Sequence, residues 1–95
     1  MGKPDDAGRV TGDSITVRCR FFATFAELLG REGFELVLPG AATVGDAVRA
    51  LREALPHGER LPREPMTAVN REHVHPGHPL ADGDELALLP PLAGG

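Results

Sequence analysis

Hydrophobic and polar positions alternate from residue 15 onward. Ile15, Val17, Cys19 and Phe21 fall on one side, and Thr16, Arg18, Arg20 and Phe22 on the other. Successive side chains leave a strand on opposite faces, so a period of two marks a half-buried strand. Cys19 sits in the apolar register and reads as a small core residue. Phe22 sits in the polar register, where a large aromatic has no packing reason to be. Residues 24–29 (TFAELL) read as a short helical turn closed by Gly30. Residues 33–38 (GFELVL) read as a second strand with Phe34, Leu36 and Leu38 on one face, ended by the turn signal Pro39-Gly40.

The pattern changes to helical spacing over residues 43–55. Val44, Ala47, Val48, Leu51 and Leu55 recur three and four apart and form one apolar stripe. Thr43 is placed to cap this helix, with Asp46 three residues on as an acidic capping-box partner. Asp46 lies near the positive end of the helix dipole, and Arg49 and Arg52 lie toward the negative end. Pro56 stops the helix. Residues 57–65 read as a polar loop, 66–69 as a short strand, and Asn70-Arg71-Glu72 as a tight turn into a brief return strand at His73 and Val74. Residues 76–79 are loop. Asp82-Gly83-Asp84 is a further turn signal. The last strand, residues 85–89, points Leu86 and Leu88 one way and Glu85, Ala87 and Leu89 the other. This order predicts an α+β two-layer domain: a mixed sheet of four to five strands with one main amphipathic helix packed across it.

Length and composition narrow the reading. The 95 residues allow a single small domain, read here as residues 14–89. Residues 1–13 carry one sizeable apolar side chain besides Met1, namely Val10, and are expected to be a disordered tail. The net charge of −4 opposes binding to a phosphate backbone, and four Phe without Trp or Tyr make a poor base-stacking platform. A single cysteine forms no internal disulfide and no thiolate zinc cluster. No apolar run is long enough to cross a bilayer, and the first residues lack a signal-peptide core and the Ser or Thr at position six that myristoylation needs. The expectation is a cytoplasmic protein with no nucleic-acid or membrane partner.

Candidate chemistry lies at the end of the chain. Pro90 and Pro91 remove two backbone donors and favour extended backbone, Leu92 and Ala93 add little bulk, and Gly94 and Gly95 have no side chain. Residues 90–95 are therefore expected to project as a slim, flexible arm that can thread a narrow channel and present a bare carboxylate to another protein. Phe22, Leu89 and His73 fall on the solvent side of their strands. They form one patch beside the root of this arm if the first and last strands pair. His73, His75 and His78 spell H-x-H-x-x-H, a possible metal set by residue type, but Pro76-Gly77 redirects the third and no Cys or carboxylate completes it. No nucleophile elbow, phosphate loop or zinc-protease motif is present, and Asp82-Gly83-Asp84 is a turn rather than a calcium loop.

Taken together, F-F-A after the first strand, G-A-A-T-V-G-D-A before the long helix, V-N-R-E-H-V, and the ending L-A-D-G-D-E-L-A-L-L-P-P-L-A-G-G resemble the small subunit of molybdopterin synthase, a ubiquitin-like β-grasp sulfur carrier. The resemblance runs over residues 15–95. It implies that a ubiquitin-activating-type enzyme uses ATP to adenylate the carboxylate of Gly95, that sulfur displaces AMP to leave a thiocarboxylate, and that the arm then enters the large synthase subunit. There the sulfur attacks a pterin precursor in molybdenum-cofactor biosynthesis. It also implies a heterotetramer of two small and two large subunits, no bound cofactor, and a small subunit that supplies no acid, base or metal. The apolar partner patch of the family falls on Phe22, His73 and Leu89, with Pro90 to Ala93 and the terminal Gly94 and Gly95 entering the partner. An aliphatic residue is commoner at the position of His73, and the extension of residues 1–13 lies outside the family pattern. Other readings stay open: a carrier feeding cysteine or thiamine biosynthesis, a ubiquitin-like protein modifier, a passive β-grasp interaction module, and metal binding through the three histidines.

Overall fold

The computed structural model describes residues 14–91. The expected N-terminal tail, and Leu92, Ala93, Gly94 and Gly95 of the expected arm, lie outside the described residues. The elements follow the chain as β1 (Ser14–Phe21), α1 (Ala23–Leu29), β2 (Gly33–Pro39), α2 (Val44–Ala54), a 3₁₀ turn (Gly58–Arg60), β3 (Met66–Val69), β4 (Glu72–Val74) and β5 (Glu85–Leu89). The sheet has five strands in the order β2-β1-β5-β3-β4. Its centre is the parallel pair β1–β5, and every other neighbouring pair is antiparallel. The last strand is thus inserted between two strands made earlier, which leaves β2 and β4 as the edges.

Alternation decides which face is covered. Val17, Cys19, Phe21, Leu36, Leu38, Leu86 and Leu88 are buried and meet the α2 stripe of Val44, Ala47, Val48 and Leu51 in one core. The helix starts where the sequence places it. Asp46 N–H donates to Thr43 Oγ1 at 3.3 Å, and Thr43 N–H donates to Asp46 Oδ2 at 2.9 Å, a complete capping box. The Thr43 backbone N–H on the Asp46 carboxylate, followed by the Thr43 side chain, holds that carboxyl below its usual range, with a lesser contribution from Arg49. Leu55 closes the helix in extended backbone, as a residue preceding proline must.

Residues 57–65 depart from the polar loop expected of them. Gly58 packs so closely on the end of α2 that a Cβ would lie 2.5 Å from the Leu51 carbonyl oxygen. Leu61 is 1% exposed and belongs to the core. Arg52 Nε donates to the Leu61 carbonyl at 2.9 Å and fastens the turn to the helix. One isolated leucine among polar residues has no periodicity, so its burial depends on where the chain returns.

The β3–β4 connection is the two residues Asn70 and Arg71, both with positive φ (50° and 75°). A two-residue hairpin turn of this hand matches the twist of its strands and favours Asn followed by Gly. Arg71 holds the left-handed conformation at a cost of roughly 1 kcal/mol relative to glycine. Arg71→Gly is expected to raise the urea midpoint, with a gain of at most about 1 kcal/mol.

Candidate functional site

The sheet face turned away from α2 carries the exposed side chains of the expected patch. In register, Arg20 lies beside Ala87, Ala87 opposite Ala68, and Ala68 opposite His73. These four form one row across four strands. Toward the C-terminal end of β5, Leu89 lies opposite Met66, and Phe22 follows β1 on the same side. Phe22 is 40% exposed, Met66 is 42% exposed and Leu89 is half-buried. The first and last strands therefore do pair, and Phe22 and Leu89 stand at the same end of the sheet. His73 is exposed on the same face, but one row back and on the edge strand.

Met66 belongs to this group and is missing from the patch read from sequence. A four-residue strand offers too little alternation to assign its first residue. Only the pairing with Leu89 shows which way it points. Arg20 forms the polar border. Its guanidinium carbon lies 5.6 Å from the centre of the Phe22 ring, and its Nη1 is 3.0 Å from Glu85 Oε2. The ring thus receives a cation over its face while 40% of the residue stays exposed. Pro90 is half-buried and Pro91 exposed directly after Leu89.

The direction of β5 is fixed from behind by the Asp82-Gly83-Asp84 turn. Asp82 Oδ1 accepts Thr16 N–H at 2.8 Å, and Gly83 N–H donates to the Thr16 carbonyl at 2.8 Å. Asp84 accepts Ala81 N–H at 2.8 Å on Oδ2 and the Asn70 side-chain amide at 2.9 Å on Oδ1. Asn70 in turn accepts Glu85 N–H at 3.0 Å. The start of β1, the β3–β4 turn and the start of β5 are tied together at one point. The two aspartates act within the turn itself: Asp82 Oδ1 and both carboxylate oxygens of Asp84 accept N–H donors. Gly83 takes a φ of 86°, which a side chain would strain.

The histidines divide among different tasks. His75 Nδ1 accepts Gly77 N–H at 3.1 Å, and the His78 carbonyl accepts Val44 N–H at 2.9 Å at the start of α2. Among the described residues no three His, Cys, Asp or Glu side chains are grouped to hold a metal ion. Cys19 is 1% exposed, and burial pushes its thiol from 9.0 up to about 12. A thiol raised in this way stabilises the fold below its ordinary range, and that contribution is lost as pH rises toward 12. Iodoacetamide at mildly alkaline pH is expected to leave Cys19 unmodified in the native chain and to alkylate it fully in denaturant, read by intact mass. Among the described residues no helix is long and apolar enough to cross a membrane.

Comparison with known proteins fits this geometry. The model of the ThiS family matches residues 19–95, from the middle of β1 through Gly94 and Gly95. The chain belongs to the ThiS family of ubiquitin-like sulfur carriers. It is 36% identical over 92 residues to small archaeal modifier protein 3 of Haloferax volcanii, covering 85% of this chain and 100% of that one. It is also 36% identical over 90 residues to the molybdopterin synthase sulfur carrier subunit of Escherichia coli, covering 83% and 99%. In three dimensions it resembles a chain in the complex of subunits 1 and 2 of molybdopterin-converting factor from Helicobacter pylori, with a TM-score of 0.62, 27% identity, and 85% and 100% of the two chains covered. The ThiS-family chain therefore has the ubiquitin-like β-grasp fold, with the apolar stripe of α2 packed on one face of the sheet.

Proposed function

We propose that this chain carries sulfur on the carboxyl group of Gly95 and delivers it to molybdopterin biosynthesis. The observation that carries the reading is the apolar row of Phe22, Leu89 and Met66 at the point where β5 releases the chain toward a terminal Gly94-Gly95. A central strand bonded on both sides gives the arm a rigid root. The row beside it gives a partner something to grip while the arm enters its active site.

The chemistry follows from what a carboxylate lacks. Its carbon is a poor electrophile, and oxide is a poor leaving group. A ubiquitin-activating-type partner overcomes both by transferring AMP from ATP to the Gly95 carboxylate, with release of pyrophosphate. Hydrosulfide, the sulfide-level form of the donor, then attacks the carbonyl carbon, the C–O bond to AMP breaks as AMP leaves with the electron pair, and loss of the proton from sulfur leaves a thiocarboxylate. Glycine at both final positions lets the donor and the partner backbone approach without a Cβ in the way. Insertion into a large synthase subunit places this sulfur against the pterin precursor, and the likeness to the Helicobacter pylori complex supports that partner. ATP is bound by the activating enzyme, not by this chain.

The 36% identity to a small archaeal modifier protein favours one second reading, a ubiquitin-like modifier. It shares the adenylation step and differs in the nucleophile, a lysine amine in place of sulfur. Reconstitution separates them. With ATP, the activating enzyme, a sulfur donor and the large subunit, the carrier reading expects pterin product and no isopeptide-linked protein. Conjugates without pterin product would replace it by the modifier reading.

A further inference from the structure

Two features take no part in the function proposed above, and they lie on opposite sides of the same strand. The first is Val37. It is 66% exposed, more than Phe22 or Met66, and stands on the open face of edge strand β2, two strands from β5. The second is a groove of about 420 Å³ on the other side of the sheet, between α2 and the C-terminal end of β2. Leu38, Ala42 and Ala50 give its lining apolar side chains, and Asp46, Arg49 and Glu53 give it charged ones.

Between these features runs a free backbone edge. Phe21 N–H donates to the Glu32 carbonyl at 3.0 Å, so these two form a hydrogen-bonded pair. Such pairs recur at every second residue of an antiparallel ladder. Phe34, Leu36 and Leu38 therefore direct N–H and C=O to β1. Gly33, Glu35 and Val37 direct theirs outward, where no strand among the described residues receives them. β2 is seven residues long, whereas the opposite edge, β4, has three. Long apolar edges are normally blunted, because they template pairing with another chain.

An extended segment reaches both features at once. A strand added beside β2 lies about 4.8 Å away and alternates its side chains. The residue opposite Val37 falls on the open face, and the one opposite Leu38 falls on the groove side. Antiparallel addition lets one residue exchange both bonds with Val37 and stack its side chain on the valine. Charge selects what flanks them. Glu35 lies on the open face beside Val37, Glu53 lies in the groove, and neither is in an ion pair among the described residues. Arg18 stands opposite Glu35 on β1 without closing such a pair. A second copy fits poorly. Of the two-fold registers that bond both Glu35 and Val37, one sets Glu35 against Glu35 and the other sets Glu35 against Val37. The register that sets Val37 against itself leaves Glu35 opposite Pro39, which has no N–H.

We propose that the outer edge of β2 binds an extended segment of another protein as a sixth, antiparallel strand. The segment places an apolar residue in the groove of Leu38, Ala42 and Ala50, a β-branched residue on Val37, and a basic residue two positions outward from each. β1 separates this edge from β5, so a chain held here keeps Phe22, Met66 and Leu89 free for a second partner.

The test uses the full chain and the capped peptide acetyl-KSIVTKS-amide, whose isoleucine faces Leu38 and whose valine faces Val37. The readout is the amide shifts of the ¹⁵N-labelled protein, and no sulfur, ATP or activating enzyme is involved, so the outcome is independent of the proposed function. Saturable shifts are expected at Glu35, Val37, Ala42 and Ala50, and none at Met66 or Leu89. Val37→Pro removes one outward donor and leaves the β1 ladder intact. It is expected to weaken binding about tenfold, the effect of leaving one buried carbonyl of the peptide unpaired. N-methylation of the peptide valine should cost as much with the protein unaltered, and Phe22→Asp with Met66→Asp should cost nothing. Absence of saturable shifts, affinity undiminished by N-methylation, or shifts centred on Met66 and Leu89 would overturn the proposal. Self-association without peptide that Val37→Pro abolishes would overturn it too, and would give the edge to a second copy.

Discussion

Deleting Gly95 is expected to abolish sulfur loading and cofactor synthesis completely while leaving the unfolding midpoint unchanged. On the proposed function the loss is total, because that residue is the one that carries the reactive atom. Without it the chain ends at Gly94, one residue, or about 3.5 Å, short of the position a partner is shaped to receive. Displacement of a reacting centre by far less than this already costs orders of magnitude in rate. The fold should not notice, because the core closes among the described residues between Ile15 and Leu88. Complementation of a strain lacking its own carrier measures the first quantity, and urea unfolding of the purified variant measures the second. Surviving cofactor synthesis would show that Gly95 is not the attachment point.

The second large effect concerns the apolar row. Replacing both Phe22 and Met66 by Asp is expected to weaken binding to the activating enzyme and to the large synthase subunit by 30-fold or more. The figure corresponds to about 2 kcal/mol, the scale of an aromatic anchor removed from the centre of an interface. Val37→Asp is the control. Val37 is 66% exposed on the same sheet face, but it lies on edge strand β2, away from the root of the arm. If exposed apolar area alone drives association, Val37→Asp weakens it equally. If the row beside β5 is the docking surface, Val37→Asp has no effect. Calorimetric titration of each variant against each partner decides between these outcomes. Both substitutions are on the solvent face and remove no core contact, so a changed affinity cannot be ascribed to unfolding.

Much of this was open to sequence reasoning, for identifiable physical reasons. Where a segment is long enough to show its period, the face it buries follows directly. β1, α2 and β5 place Val17, Leu51 and Leu88 inside as the alternation and the helical stripe require. The position of Phe22 in a polar register marks it as a solvent-facing aromatic, and it is exposed. The capping box at Thr43 and Asp46 follows from residue types three apart, because both of its bonds are local.

What escaped was set by long-range pairing. Met66 joins Phe22 and Leu89 only because β3 lies antiparallel to β5, a contact between residues more than twenty positions apart. Leu61 and Gly58 became core and close packing because the chain folds back onto the end of α2, fastened by Arg52. Asn70 read as a turn residue, yet its side chain also holds Asp84 and Glu85 across the sheet. In each case the residue type was compatible with several environments, and topology selected one.

The central claim is that the chain carries sulfur on Gly95. The most direct test is the intact mass of the protein purified with its activating enzyme, followed by fragmentation of the C-terminal peptide. The account predicts a species heavier by the difference between one sulfur and one oxygen atom, with the added mass on Gly95 and absent from a chain prepared without ATP. A population that retains an ordinary carboxylate at Gly95 after incubation with enzyme, ATP and sulfur donor would contradict it.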